Sequence, residues 1–177
     1  GTAAVGADID TQVSQLDALN STSNDIYIQN TGALELIDLG GDTYGVRNIA
    51  AGGVINIDNT DSLTVTNAVR SNNGVINLTT HSPIIVNADI TSGGGVINLT
   101  ANNSDGYIYI GTAATPSVNI SSAGGDINVY AYGADGSNSV VEQTGASIDA
   151  GTGGDVDIEA GTSGSTASGS IILSDVI

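Results

Sequence analysis

Residues 74–80 read Gly74-Val75-Ile76-Asn77-Leu78-Thr79-Thr80, and residues 95–101 read Gly95-Val96-Ile97-Asn98-Leu99-Thr100-Ala101. Upstream stand Gly53-Val54-Ile55-Asn56-Ile57 and, before it, Gly32-Ala33-Leu34-Glu35-Leu36, so the leading glycines Gly32, Gly53, Gly74 and Gly95 are evenly spaced. After two longer steps the motif returns as Gly125-Asp126-Ile127-Asn128-Val129 and Gly154-Asp155-Val156-Asp157-Ile158. A looser last copy is read at Gly169-Ser170-Ile171. A fixed period of this length marks a repeat architecture in which each unit buries its apolar face only against its neighbours. The longer steps read as loop insertions around 102–117 and 132–147.

A second segment keeps the same period. Leu63, Val65, Asn67 and Val69 recur as Ile84, Val86, Ala88 and Ile90, and the last two map onto Val118 and Ile120. Each period therefore holds at least two short strands with two-residue alternation, bounded by Gly, Asn, Ser, Thr and Asp turns. Stacked, such periods form an all-β parallel β-helix of about eight coils, mostly of ~21 residues each. At about 4.8 Å between neighbouring strands, the rod is roughly 40 Å long.

Alternation assigns the faces. Ile55, Ile76, Ile97, Ile127 and Val156 form one inward column, and Ile57, Leu78, Leu99, Val129 and Ile158 the next. Asn56, Asn77, Asn98, Asn128 and Asp157 stand between them and face out. Thr80, Ala101, Ala131 and Ala160 follow at a narrow inward corner. Pro83 and Pro116 precede strands, where a missing N–H is tolerated. In residues 10–19, Val13, Leu16 and Leu19 follow helical spacing after a potential Asp10 cap. Residues 1–23 are accordingly expected to form either a capping helix or an irregular first coil, with the β-helix spanning 24–177.

Composition narrows the partners. Twenty-five of 177 residues are glycine, Cys, Met, Trp and Phe are absent, and the apolar fraction is still 40%. That fraction is too high for a disordered chain, and the core must be aliphatic. Nineteen acidic residues against two basic ones give a net charge of −17, which repels both nucleic acid and anionic membranes. No run of about 20 apolar residues and no signal-peptide pattern occurs, so no direct membrane insertion is expected. Lacking an initiator Met, the chain reads as a processed or excised portion. Its lysine-free, cysteine-free polar surface points to an extracellular or bacterial cell-surface location.

The strings Val86-Asn87-Ala88-Asp89-Ile90-Thr91-Ser92-Gly93-Gly94-Gly95-Val96-Ile97-Asn98-Leu99-Thr100-Ala101 and Ala123-Gly124-Gly125-Asp126-Ile127-Asn128-Val129-Tyr130-Ala131 carry a resemblance. Together they resemble the repeats of filamentous haemagglutinin-like adhesins over roughly residues 24–175, with glycines, inward aliphatics and corner alanine matching. The resemblance implies a right-handed parallel β-helix from a large exported surface protein. Its function is left open between adhesin, fibre and spacer.

Several residues stand out as candidate contacts. Tyr107 and Tyr109, and Tyr130 and Tyr132, alternate with inward residues and should present outward area for sugars or protein. Val54, Val75 and Val96 occupy an outward position that Asp126 and Asp155 fill in later coils, forming a lateral apolar contact column. Asp155, Asp157 and Glu159 share one outward face, either as solvated charge or as a Ca²⁺ site. Asn20, Asn77, Asn98, Asn102 and Asn119 match the glycosylation acceptor pattern.

Catalysis is not expected. Arg47, Arg70 and His81 are the whole cationic or imidazole supply, and in the register above no two share a face in adjacent coils. A polysaccharide lyase needs such groups together, and a hydrolase needs paired carboxylates in a cleft. Two functions from different classes remain: a self-associating structural segment of a surface fibre, and a carbohydrate-binding adhesive module. The ends favour the first. Val5 and Ile9 at one end and Ile171, Leu173, Val176 and Ile177 at the other are apolar without a polar cap, which suits head-to-tail stacking on another copy or on adjoining coils of a longer chain.

Overall fold

The computed structural model describes residues 8–103, 106–132, 139–161 and 170–173. They form twenty short strands in three parallel sheets, and no helix occurs among the described residues. The first sheet stacks β1 (Ile9–Thr11), β4 (Ile26–Asn30), β7 (Ile55–Asn59), β10 (Ile76–Thr80), β13 (Ile97–Ala101), β16 (Ile127–Ala131) and β19 (Val156–Ala160). The second stacks β2 (Gln15–Leu16), β5 (Leu34–Leu36), β8 (Leu63–Val65), β11 (Ile84–Val86), β14 (Ile108–Ile110), β17 (Ser139–Glu142) and β20 (Ser170–Ile172). The third stacks β3 (Ala18–Asn20), β6 (Tyr44–Asn48), β9 (Ala68–Ser71), β12 (Ile90–Ser92), β15 (Asn119–Ser121) and β18 (Ser147–Asp149). The chain is a parallel β-solenoid, and its seven described turns span roughly 30 Å.

The core is the stack of inward columns. Ile55, Ile76, Ile97 and Ile127 pair in register and are fully buried, as are Leu78, Leu99 and Val129 beside them. The outward asparagines form a ladder along the rod. Asn128 Nδ2 donates to Asn98 Oδ1 at 2.7 Å, Asn98 to Asn77 at 2.7 Å, and Asn77 to Asn56 at 3.2 Å. The narrow corner is buried as expected, with Ala101 and Ala131 following Thr80. Earlier coils place Asn30 and Asn59 there, and Asn30 Nδ2 reaches Asn59 Oδ1 at 2.9 Å.

Two register assignments change. Leu34–Leu36 does not precede Ile55–Ile57: it pairs with Leu63–Val65 in the second sheet, and the strand beneath Ile55 is the one beginning at Ile26. The second coil therefore runs from Ile26 to Ile55 and is longer than the common period, while the step from Gly32 to Gly53 links different sheets. Its extra length includes residues 37–43, where the Asp38 carboxylate accepts the N–H groups of Gly40, Gly41 and Thr43. Those bonds, led by the one from Gly41, hold Asp38 below its ordinary pKa. Ser170–Ile172 likewise pairs with β17 of the second sheet and is not a copy of the glycine motif in the first.

Residues 10–19 are strands, not a capping helix. Their inward positions continue the columns, with Ile9 opposite Ile28 and Leu16 opposite Leu36. Pairing to an existing sheet edge outweighs a helical spacing that only three apolar residues support.

Candidate functional site

The third sheet brings the chain's two cations together, against the register expected from the common period. Arg47 on β6 lies directly opposite Arg70 on β9, and both project from the outer face. The offset arises after β6, because Ile55 follows Asn48 by seven residues where Ile76 follows Ser71 by five. A β-bulge within β6 pairs Tyr44 with Ala68 and Val46 with Val69, leaving Gly45 extra. The bulge re-aims Tyr44. In an unbroken strand a residue three before Arg47 would point inward, whereas the bulge puts Tyr44 on the arginines' own face. Position 45 has no room for a side chain, because a Cβ there would sit 2.6 Å from the Leu36 carbonyl carbon.

Tyr44 joins the pair. The Arg47 guanidinium carbon lies 4.7 Å from the centre of its ring, and Arg70 Nη1 donates to its hydroxyl at 3.4 Å. Arg47 Nε is buried without a hydrogen-bond partner. A groove of about 370 Å³ runs from Tyr44 and Arg70 past Asn72, Asp89, Thr91 and Ser121. Asp89, its one acidic lining residue, accepts the Asn119 N–H through Oδ1 at 2.8 Å. His81 is exposed in the turn leading to β11, away from these strands.

The tyrosines divide between two faces. Tyr107 and Tyr109 meet edge to face at 4.9 Å beside the second sheet, and Tyr130 and Tyr132 stack at 5.4 Å on the first. All four are half-buried. Tyr109 belongs to an outward apolar column with Ile85, Val141 and Ile172, hidden in the sequence because its members lie at unequal intervals. Tyr130 donates to Asp157 at 3.1 Å and Tyr132 to Glu159 at 3.2 Å.

Partial burial, aided by the Glu159 carboxylate, pushes the Tyr132 phenol up to about 12 from its ordinary 10.0, and Tyr130 shifts the same way. Folding thus favours the protonated phenol. That contribution to stability is intact below pH 10 and is lost as the pH climbs through about 12. Melting temperature measured across this window should fall, and in Tyr132→Phe the fall should be shallower.

Asp157 and Glu159 are exposed on β19, the last first-sheet strand described, and Asp155 is exposed just before it. Alternate residues of an extended strand lie about 6.7 Å apart, so the carboxylates fan out along the strand. Among the described residues no three His, Cys, Asp or Glu side chains converge on a metal-sized site.

Val54, Val75 and Val96 are half-buried, in a column that Asp25 begins and Asp126 and Asp155 continue. The amide nitrogens of Asn77 and Asn98 are donors within the ladder, and that of Asn20 binds the Ser23 and Asn24 carbonyls. Asn102 and Asn119 are exposed. Glu35 is held below its ordinary value by hydrogen bonds from Gln15 and Thr66, a side-chain tie across three coils.

At the ends, inward residues emerge from the stack: Ile9 is 61% exposed and Ile171 45%, and Leu173, just past β20, is 40% exposed. Val5, Val176 and Ile177 lie outside the described residues. No family model matches the chain, and neither a curated protein nor a solved structure matches it significantly. Fold and surface together define a parallel β-solenoid repeat protein.

Proposed function

We propose that this solenoid is a non-enzymatic structural segment of an extracellular bacterial surface fibre, of the filamentous haemagglutinin-like kind, extended end to end by further coils. A second copy or adjoining coils of a longer chain would supply them. The observation that carries the reading is the exposure of Ile9 and Ile171, which occupy inward columns yet end in the open, with Leu173 exposed beside them. A coil laid on either end would bury them and pair the open sheet edges. The adhesive alternative is weaker, because its tyrosines are split between two sheets and two of the four hydroxyls are tied to carboxylates.

Continuing the first-sheet register from one copy to the next sets Ile9 over Ile158 and Asp10 beside Glu159. The apolar contact favours association and the like charges oppose it. Sedimentation of the purified chain should therefore reveal end-to-end oligomers that grow with concentration and with added salt, which screens the carboxylates. Ile9→Asp and Leu173→Asp should each shift the chain towards monomer without lowering its melting temperature, since both side chains are already exposed to water. A parent chain that stays monomeric at high concentration and high salt would overturn self-assembly.

A further inference from the structure

The only two positive side chains of a chain with nineteen carboxylates stand opposite each other, and among the described residues neither makes an ion pair. Like charges directly across a strand pair are destabilising, and the orphaned Arg47 Nε adds a further cost. Tyr44 offsets part of it, giving its ring to one guanidinium and its hydroxyl to the other. That placement depends on the Gly45 bulge, a device that re-aims side chains and is over-represented next to functional sites. A ligand carboxylate on Arg70, which lines the groove, would offset the rest.

The geometry points to a binding site on the outer face of the third sheet for a carboxylate carried by a small hydroxylated molecule, an acidic sugar. The forked guanidinium matches a planar carboxylate in two-point contact. A net charge of −17 disfavours polyanions and dianions, leaving a singly charged ligand. The neutral remainder would lie in the groove, where Asn72, Thr91 and Ser121 offer amide and hydroxyl groups. Asp89 there has Oδ2 available to accept a sugar hydroxyl and would repel a second negative charge. This site is independent of the ends, so it does not stand or fall with end-to-end assembly.

Calorimetric titration of the intact chain at low salt, with glucuronate, glucose, acetate and inorganic phosphate as probes, tests the assignment. Glucuronate should bind saturably, with each of the other three weaker by about tenfold or more. Arg70→Gln, at an exposed position, should weaken glucuronate by about tenfold, and Arg70→Lys should fall between it and the parent. Circular dichroism should find both variants folded as the parent is. In amide NMR spectra the shifts should cluster on residues of β6, β9 and β12. No saturable glucuronate binding, acetate or phosphate binding as tightly, or unchanged affinity in Arg70→Gln would each overturn it.

Discussion

Ile97→Asp should unfold the rod. Ile97 is fully buried between Ile76 and Ile127, so the new carboxylate would meet only aliphatic side chains. An unpaired buried charge of this kind costs about 4 kcal/mol or more, a large share of the roughly 5–15 kcal/mol that stabilises a typical domain. Because each coil is sandwiched between its neighbours, the damage at a central coil separates the two halves of the stack. Circular dichroism should record loss of the β signal at room temperature; a variant melting like the parent would refute the register. The adjacent Asn98→Asp should leave the fold intact but not untouched. It removes the amide that Asn98 donates to Asn77, and should cost about 1–2 kcal/mol.

Gly95→Ala should come next in severity, although it adds a single methyl. A Cβ at Gly95 would collide with the Gly74 carbonyl and come within 2.9 Å of the Val75 nitrogen. The obstruction is backbone of the coil below, which cannot swing aside as a side chain can. The coils would have to part locally, at a cost of about 3 kcal/mol or more. Gly74 and Gly154 meet the same obstacle in their own neighbours. Gly52→Ala is the contrasting substitution: Gly52 has φ +72° and open space around it, so only the left-handed backbone is strained, by about 1 kcal/mol. Denaturant titration of the two variants should separate them clearly, and equal losses would mean that coil contact does not explain the glycine column.

The glycine column was legible in the sequence as a period, and its cause lies in the stacking. Inward and outward faces were legible as well, because a strand alternates every two residues and the inward positions of the central first-sheet strands are aliphatic up to the corner that Asn59 and Thr80 occupy. From Ile55 to Ile127 the reading and the structure coincide residue for residue. It fails where coil length varies. Gly32 falls one full period before Gly53, yet the intervening 37–43 segment and the Gly45 bulge put its strand in another sheet. The same unequal spacing concealed the apolar column from Ile85 to Ile172 and the pairing of Arg47 with Arg70.

The amino-acid sequence by itself determined the solenoid class, the aliphatic core, the asparagine ladder and the strongly acidic charge. These depend on local alternation and on a repeat that neighbouring coils share. Only the tertiary structure decided that there are three sheets, that residues 10–19 extend them, and that two arginines and a tyrosine converge on one face. Convergence across strands depends on how many residues each turn spends before re-entering the stack. That number is set by bulges and loops whose conformations are decided by the coils on either side.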